Sequence, residues 1–385
     1  MTTWVRADEA TRLLGVSKPT LYAYVSRGLI ERHAAVDGRT SLYARADVER
    51  LAGRSRSRAP AERPTIDVQI TSSVSELHDD GLLYRGLPAA DLARTATFEQ
   101  VAELLWTGAL PDHAPAWPDD REVERRVAAA VVAVGPVGPL DRLALAATLL
   151  SGSAPAVSAP DAARRLLTLA PSLLGGTRRG DIAARLTRAY TRRPSTELVT
   201  AVGRALVLLA DHELATSTLA VRVATSVRTN PFTALAVGLH TVGGALHGGA
   251  AAHVVNLFAD ADTRGAAAAV AEPLARRERL SGFGHSIYRN ADPRVEPLME
   301  VVRPLASPAQ LVTVDTVAAE AMRTLGRHPN IDFALGALLF VARLPADMPI
   351  FALARISGWA AHAAEEAGER PLRYRGLARA TGLPG

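Results

Sequence analysis

Gly243-Gly244-Ala245-Leu246-His247-Gly248-Gly249 is the stretch on which the reading of this 385-residue chain turns. One imidazole stands between glycines, which let a backbone turn sharply and approach a ligand without a side-chain clash. Two later segments repeat the arrangement, Ser281-Gly282-Phe283-Gly284-His285 and Asn330-Ile331-Asp332-Phe333. Two imidazoles and one carboxylate, each on its own turn, suit a reaction that takes a proton from carbon and stabilises charge on oxygen.

The chain around these turns has the composition of packed helices. Hydrophobic residues make up 48%, mean hydropathy is +0.08 and aromatics are only 5%, which favours an Ala/Leu-rich helical core over sheet. The absence of cysteine excludes disulfides, thiolate metal sites and cysteine nucleophiles. The N-terminus lacks a basic-then-apolar signal pattern. The apolar run 128–134 stops at Gly135-Pro136, and the run 340–350 is cut by Arg343 and Asp347. Neither approaches the ~20 residues needed to cross a bilayer. A soluble, cytoplasmic protein is expected.

Composition divides the chain into 1–52, a compact basic unit; 53–64, an Arg/Ser/Pro-rich linker; and a long helical body, 65–385. The net charge of +5 lies in the first 60 residues, where 11 basic residues face 6 acidic ones; Lys18 is the chain's one lysine. In the first unit, residues 8–14 place Ala10, Leu13 and Leu14 on one helical face. Gly15-Val16-Ser17 then ends one helix and caps the next, 18–27, which turns Leu21 and Val25 inward. An Asp37-Gly38 turn marks a small β wing over 29–43, followed by a helix over 45–51. Helix, Gly-containing turn, helix and wing is the logic of a DNA-binding helix-turn-helix. The unit resembles the MerR/excisionase-type modules through Leu14-Gly15-Val16-Ser17, Thr20-Leu21-Tyr22 and Ser26-Arg27-Gly28-Leu29-Ile30. Lys18, Thr20, Tyr22 and Arg27 are its candidate DNA contacts, with Arg39 and Arg45 as further phosphate contacts. The other reading is a unit that only decorates an enzyme.

The body resembles the citrate synthases. The resemblance starts at Asp80-Gly81-Leu82-Leu83-Tyr84-Arg85-Gly86 and Thr97-Phe98-Glu99-Gln100-Val101-Ala102-Glu103-Leu104-Leu105-Trp106. It continues through His212-Glu213-Leu214-Ala215-Thr216-Ser217-Thr218, Leu246-His247-Gly248-Gly249-Ala250, Gly282-Phe283-Gly284-His285, Asp292-Pro293-Arg294, Asn330-Ile331-Asp332-Phe333 and Gly358-Trp359-Ala360-Ala361-His362, all in the family's order. It implies a mainly α fold with all-helical large and small domains, the small one over about 251–345, and a homodimer or larger homo-oligomer. It also implies condensation of acetyl-CoA with oxaloacetate and water to citrate and CoA, with no cofactor, no metal and no membrane partner.

By the same resemblance, Asp332 is the base that removes the methyl proton. His247 donates to the thioester oxygen, and His285 polarises the ketone. His212 holds oxaloacetate, while Arg294, Arg355 and Arg370 pair with carboxylates, Arg370 from a second subunit. The physics agrees: a thioester methyl is a weak acid whose enolate needs a positioned donor, and arginine's planar fork binds carboxylate bidentately. Asp332 is expected just before a helix 333–343, where the helix dipole lowers its basicity and an apolar cleft raises it. His33, His78, His113, His240, His253, His328 and His362 read as structural or surface groups. His212 has the alternative of a helix-start residue, Arg355 of a surface residue, and Arg373 is the alternative to Arg370.

Departures from the family's pattern fall beside the site. Ala245 stands where proline is usual, Ser286-Ile287-Tyr288-Arg289 replaces Arg-Val-Tyr-Lys, and Ala251-Ala252 replaces Asn-Glu. They leave propionyl-CoA, giving 2-methylcitrate, or another acyl-CoA and 2-oxo acid as the alternative reactants, and leave the CoA-binding residues unassigned. A DNA-binding regulator that senses metabolites through a synthase body is the alternative from another class.

Overall fold

A computed structural model describes residues 4–14, 18–26, 30–34, 41–48, 68–78, 81–117, 120–153, 157–244, 247–285, 287–288 and 290–376. The chain divides into two compact units, Met1–Thr71 and Ser72–Gly385.

In the first unit, helices Ala7–Leu14 and Lys18–Ser26 pack with an antiparallel sheet of strands Trp4–Arg6, Ser41–Ala44 and Arg32–Ala34, in that spatial order. Residues 45–48 are helical. Val5, Ala10, Leu14, Leu21, Ile30, Tyr43 and Val48 form its core. The inward positions of both helices follow the sequence pattern. Strand Trp4–Arg6, paired to the wing through Val5 and Tyr43, was not expected, since a three-residue strand carries too short an alternation to be read. The turn at 15–17, Asp37-Gly38, Arg27, Arg39 and the linker 53–64 lie outside the described residues.

The body opens with an antiparallel meander, Ser75–His78, Gly81–Tyr84 and Leu87–Pro88, and is helical thereafter. Tyr84 is fully buried there, its hydroxyl donating to the Val207 carbonyl at 3.0 Å. The Pro/Gly clusters do break helices: Arg121–Ala133, Pro139–Ser153 and Ala159–Leu173 are separate elements. At the centre runs Ile350–Gly368, buried nearly all round, against Phe98–Thr107, Ala159–Leu173, Thr196–Leu208, Thr216–Ser226 and Pro231–Val242. Helix Ala250–Arg264 packs on Ile331–Val341, Ala266–Ala275 and Pro308–Leu325, and Val295–Val302 packs on Ile331–Val341. No helix among the described residues is long and apolar enough to cross a membrane.

Candidate active site

The His247 turn joins helices Pro231–Val242 and Ala250–Arg264. It is drawn tight by the Gly248 amide, which donates to the Val242 carbonyl at 2.8 Å. A Cβ on Gly248 would lie 2.6 Å from that oxygen, so no other residue fits. The His247 Nε2 lies 2.9 Å from the Ser217 hydroxyl, which also accepts the Trp359 indole N–H at 3.2 Å. An indole can only donate, so the Ser217 hydroxyl keeps its own proton to give, and giving it to Nε2 leaves the His247 proton on Nδ1. Burial, helped by the Arg355 charge, pushes the His247 pKa down to about 4, so the ring is neutral at physiological pH.

The second turn is held by Asn330. Its amide N–H donates to Gly282, its side-chain nitrogen donates to Gly284, and its Oδ1 accepts from the Asp332 and Phe333 amides at 3.0 and 3.4 Å. One residue thus caps the helix Ile331–Val341 and pins the loop that carries His285. Gly282, at φ +87°, packs so closely that a Cβ would meet Val254 at 2.7 Å. The Ile287 amide donates to His285 Nδ1 at 3.1 Å and the Tyr288 amide approaches it at 3.4 Å, so the ring proton sits on Nε2. Burial and Arg294 lower the His285 pKa against the opposing pull of Asp292. His212 meets His285 edge-on at 5.1 Å between centroids and bonds the Tyr288 hydroxyl at 3.1 Å. Burial, with Arg294 and Arg355 beside it, keeps His212 neutral. His212 precedes the helix Thr216–Ser226 by a loop rather than starting it.

Asp332 occupies the first turn of Ile331–Val341, a helix that starts two residues earlier than expected from sequence. Its Oδ1 is buried without a hydrogen-bond partner. Burial outweighs the helix dipole and the nearby arginines and raises its pKa to about 6. Arg294 is gripped by Asp292 through two bonds of 2.9 and 2.8 Å, and Asp292 also accepts the Ile331 amide. Arg355 is no surface residue: it is 2% exposed, with Nε and Nη1 buried and unpartnered, and its guanidinium lies 4.9 Å over the Phe351 ring.

His212, His247, His285, Arg294, Asp332 and Arg355 line one cavity of about 460 Å3. Arg370 lies exposed past the end of the last helix and does not line it; Arg373 is paired with Glu366 and does not either. His247 and Asp332 also line a neighbouring cleft of about 430 Å3 formed with Arg279, Ser281 and Gly282. Two neutral imidazole donors, a carboxyl of raised pKa and an unpaired guanidinium around one space can hold a small polyanion and move a proton. Asn330 stood in a motif segment without a role, as did Ser217 and Trp359. Phe351 gave no signal at all, because an aromatic on an apolar helix face reads as core.

A family model described as citrate synthase, C-terminal domain, matches residues 66–375. The chain belongs to the citrate synthase family. Within this family it is 31% identical over 346 residues to 2-methylcitrate synthase of Mycobacterium tuberculosis, covering 80% of this chain and 88% of the relative. It is 30% identical over 357 residues to citrate synthase of Mycolicibacterium smegmatis, covering 82% and 93%. In fold it resembles citrate synthase of Thermoplasma acidophilum, solved as a ternary complex with carboxymethyl coenzyme A and oxaloacetate (TM-score 0.68, 23% identity, 83% of this chain, 97% of that one). Citrate synthase of Thermotoga maritima is similar at TM-score 0.67 and 22% identity, covering 82% of this chain and 93% of that one. The small first unit, outside the citrate synthase match, fits a helix-turn-helix domain over residues 4–56. On its helix Lys18–Ser26, Tyr22 is half exposed, and exposed Lys18 pairs with Asp8 at 2.8 Å; of Thr20 only the backbone is described.

Proposed function

We propose that this citrate synthase family enzyme condenses acetyl-CoA with oxaloacetate and water to give citrate and CoA. The observation that carries it is the unpartnered Asp332 Oδ1 and the unpartnered Arg355 guanidinium, facing one cavity between His247 and His285. Buried polar groups without partners cost stability unless a ligand completes them.

Arg355 takes a carboxylate of oxaloacetate, with Arg294 and neutral His212 beside it, and His285 Nε2–H donates to the ketone oxygen. The thioester approaches by the neighbouring cleft, because His247 and Asp332 line both spaces. Asp332 takes the methyl proton while His247 Nδ1–H donates to the developing enolate oxygen. The carbanion bonds to the ketone carbon and the alkoxide takes a proton from His285. Water then cleaves the thioester to carboxylate and CoA thiol. Imidazole and guanidinium donors supply the electrophilic assistance in this scheme, which calls on no cofactor. Arg370 joins the site only from a second subunit. Exposed Val223 on Thr216–Ser226, exposed Val227 just past that helix's end, and exposed Leu372, whose amide donates to the Ser226 carbonyl, supply an apolar patch for such a homodimer.

Propionyl-CoA, giving 2-methylcitrate, is the second reading, favoured by the 31% identity to a protein of that name. The first unit binds DNA through Lys18, Thr20, Tyr22 and Arg27, and the protein works in the cytoplasm. Thiol release with acetyl-CoA plus oxaloacetate, run beside propionyl-CoA and beside a DNA gel shift at low salt, tests all of this. If neither thioester is consumed while oxaloacetate alters DNA retention, the protein is a metabolite-sensing regulator instead.

A further inference from the structure

Behind the wall that carries His212 runs a line of buried polar side chains that the proposed reaction does not use. His212 stands between Asp211, which is fully buried, and Glu213, whose backbone lies at φ +48°. A residue with a side chain keeps that left-handed conformation only where its surroundings hold it. The Glu213 amide donates to Asp211 Oδ2 and to the Ser75 hydroxyl, at 3.1 Å each, and that hydroxyl donates to Oδ2 in turn. The Asp211 carboxylate thus closes a turn around His212, which lines the catalytic cavity. Oδ2 is itself held by His362 of the central helix, fully buried, with Nε2 3.3 Å from Oδ2 and Nδ1 2.9 Å from Arg222 Nη1. A guanidinium only donates, so Nδ1 accepts and the ring proton on Nε2 goes to Asp211. Burial works to raise the Asp211 pKa, but His362, Arg355 and Ser75 hold it below the ordinary value, so the carboxylate stays an acceptor. Arg222, also fully buried, donates through Nε to Glu366 at 3.1 Å. Glu366 accepts Arg373 Nε at 2.8 Å and the Tyr374 hydroxyl at 3.0 Å. Arg373, Glu366, Arg222, His362 and Asp211 therefore form one unbroken hydrogen-bonded line from the segment after the last helix to the turn that presents His212. None of them lines the catalytic cavity.

We propose that Asp211 is the positioning residue for His212, and that the C-terminal segment sets its alignment through Glu366, Arg222 and His362. The inference rests on the reading of His212 as an oxaloacetate contact. Seating Arg373 and Tyr374 on Glu366 fixes Arg222, and Arg222 orients the His362 ring so that its Nε2–H meets Asp211. Asp211 then holds the strained turn, and with it the His212 ring, beside the keto acid. Buried charges of this kind contribute little net stability over apolar side chains of equal volume, so what the line supplies is alignment. A break anywhere along it lets the turn relax while the thioester's contacts at His247 and Asp332 stay in place. Oxaloacetate binding then suffers and acyl-CoA binding does not.

The test reads oxaloacetate affinity of the full chain by titration calorimetry, beside the KM values for oxaloacetate and acetyl-CoA in thiol release. Arg373 is the partly exposed end of the line. Arg373→Gln should weaken oxaloacetate binding about 2- to 30-fold, the range that coupling through packed side chains spans, with the acetyl-CoA KM within about 2-fold of wild type. His362→Leu cuts the line in the middle and should do the same. His362→Gln should keep wild-type affinity, because one amide can accept from Arg222 and donate to Asp211. With the line already cut, Arg373→Gln should add nothing to the loss caused by His362→Leu. Additive losses would show that the C-terminal segment reaches the substrate by another route, and they overturn the inference. So does an affinity unmoved by Arg373→Gln, which decides the matter should His362→Leu fail to fold. A wild type that does not bind oxaloacetate sinks the reading of the site itself, and this inference with it.

Discussion

With its carboxyl buried and its pKa raised to about 6, Asp332 gives the site its pH signature. A base must be ionised, so kcat/KM should climb from pH 5 to 7 with an apparent pKa near 6; His247, neutral above about 4, contributes no limb there. The stability linkage has the opposite sign. A carboxyl with a raised folded pKa stabilises the fold below its unfolded value of ~3.9, and that contribution is lost as pH rises through 6. Asp332→Asn should therefore lower kcat by about 10^3-fold, yet be more stable than wild type by about 2–3 kcal/mol at pH 7.5 and by only about 0.5 kcal/mol at pH 4. Paired denaturant titrations at the two pH values check it; equal differences at both would refute the burial argument. Arg355 makes a separate case. Oxaloacetate should raise Tm, by the equivalent of about 2.7 kcal/mol at 100 times Kd. Arg355→Gln should abolish that shift, and Arg355→Lys should not restore it, because an ammonium cannot reproduce the fork.

The helix Ile331–Val341 and the His285 turn are one mechanical piece, since Asn330 bonds both. Asn330→Ala removes the cap at a cost of about 1–2 kcal/mol. Its larger effect should be on kcat, because Asp332 and His285 lose their common anchor; a drop confined to stability would show that the two stay aligned without it. The sequence showed this region in part. Glycines on both sides of His247 and before His285 marked the turns, because only a turn or a close approach calls for them. The amphipathic spacing in residues 8–14 and 18–25 marked the small unit's helices. The start of the Asp332 helix was misjudged because Asn330 was not read as its cap, although an Asn two residues before the aspartate is a capping signal. Arg355 looked ambiguous because a helix buried on every side has no polar face against which an inward arginine stands out.

Each of the two units has its own apolar core, so the body should work without the small one. A chain beginning at Ser72 is expected to keep thiol release and to lose all retention of DNA. In the full chain, DNA affinity should fall steeply with salt, and Lys18→Ala should reduce the log–log slope by about 1 if Lys18 meets a phosphate. A salt-independent shift would argue against phosphate contact. The Lys18–Asp8 pair has one more consequence. Apart from the chain's own α-amine, Lys18 is the only primary amine in the molecule, and no cysteine competes for electrophiles. The Asp8 carboxylate keeps that amine protonated, hence poorly nucleophilic, for as long as the pair is closed. At Lys18 an acylating dye therefore labels the small unit rather than the catalytic body, and it does so more slowly while the pair with Asp8 is closed.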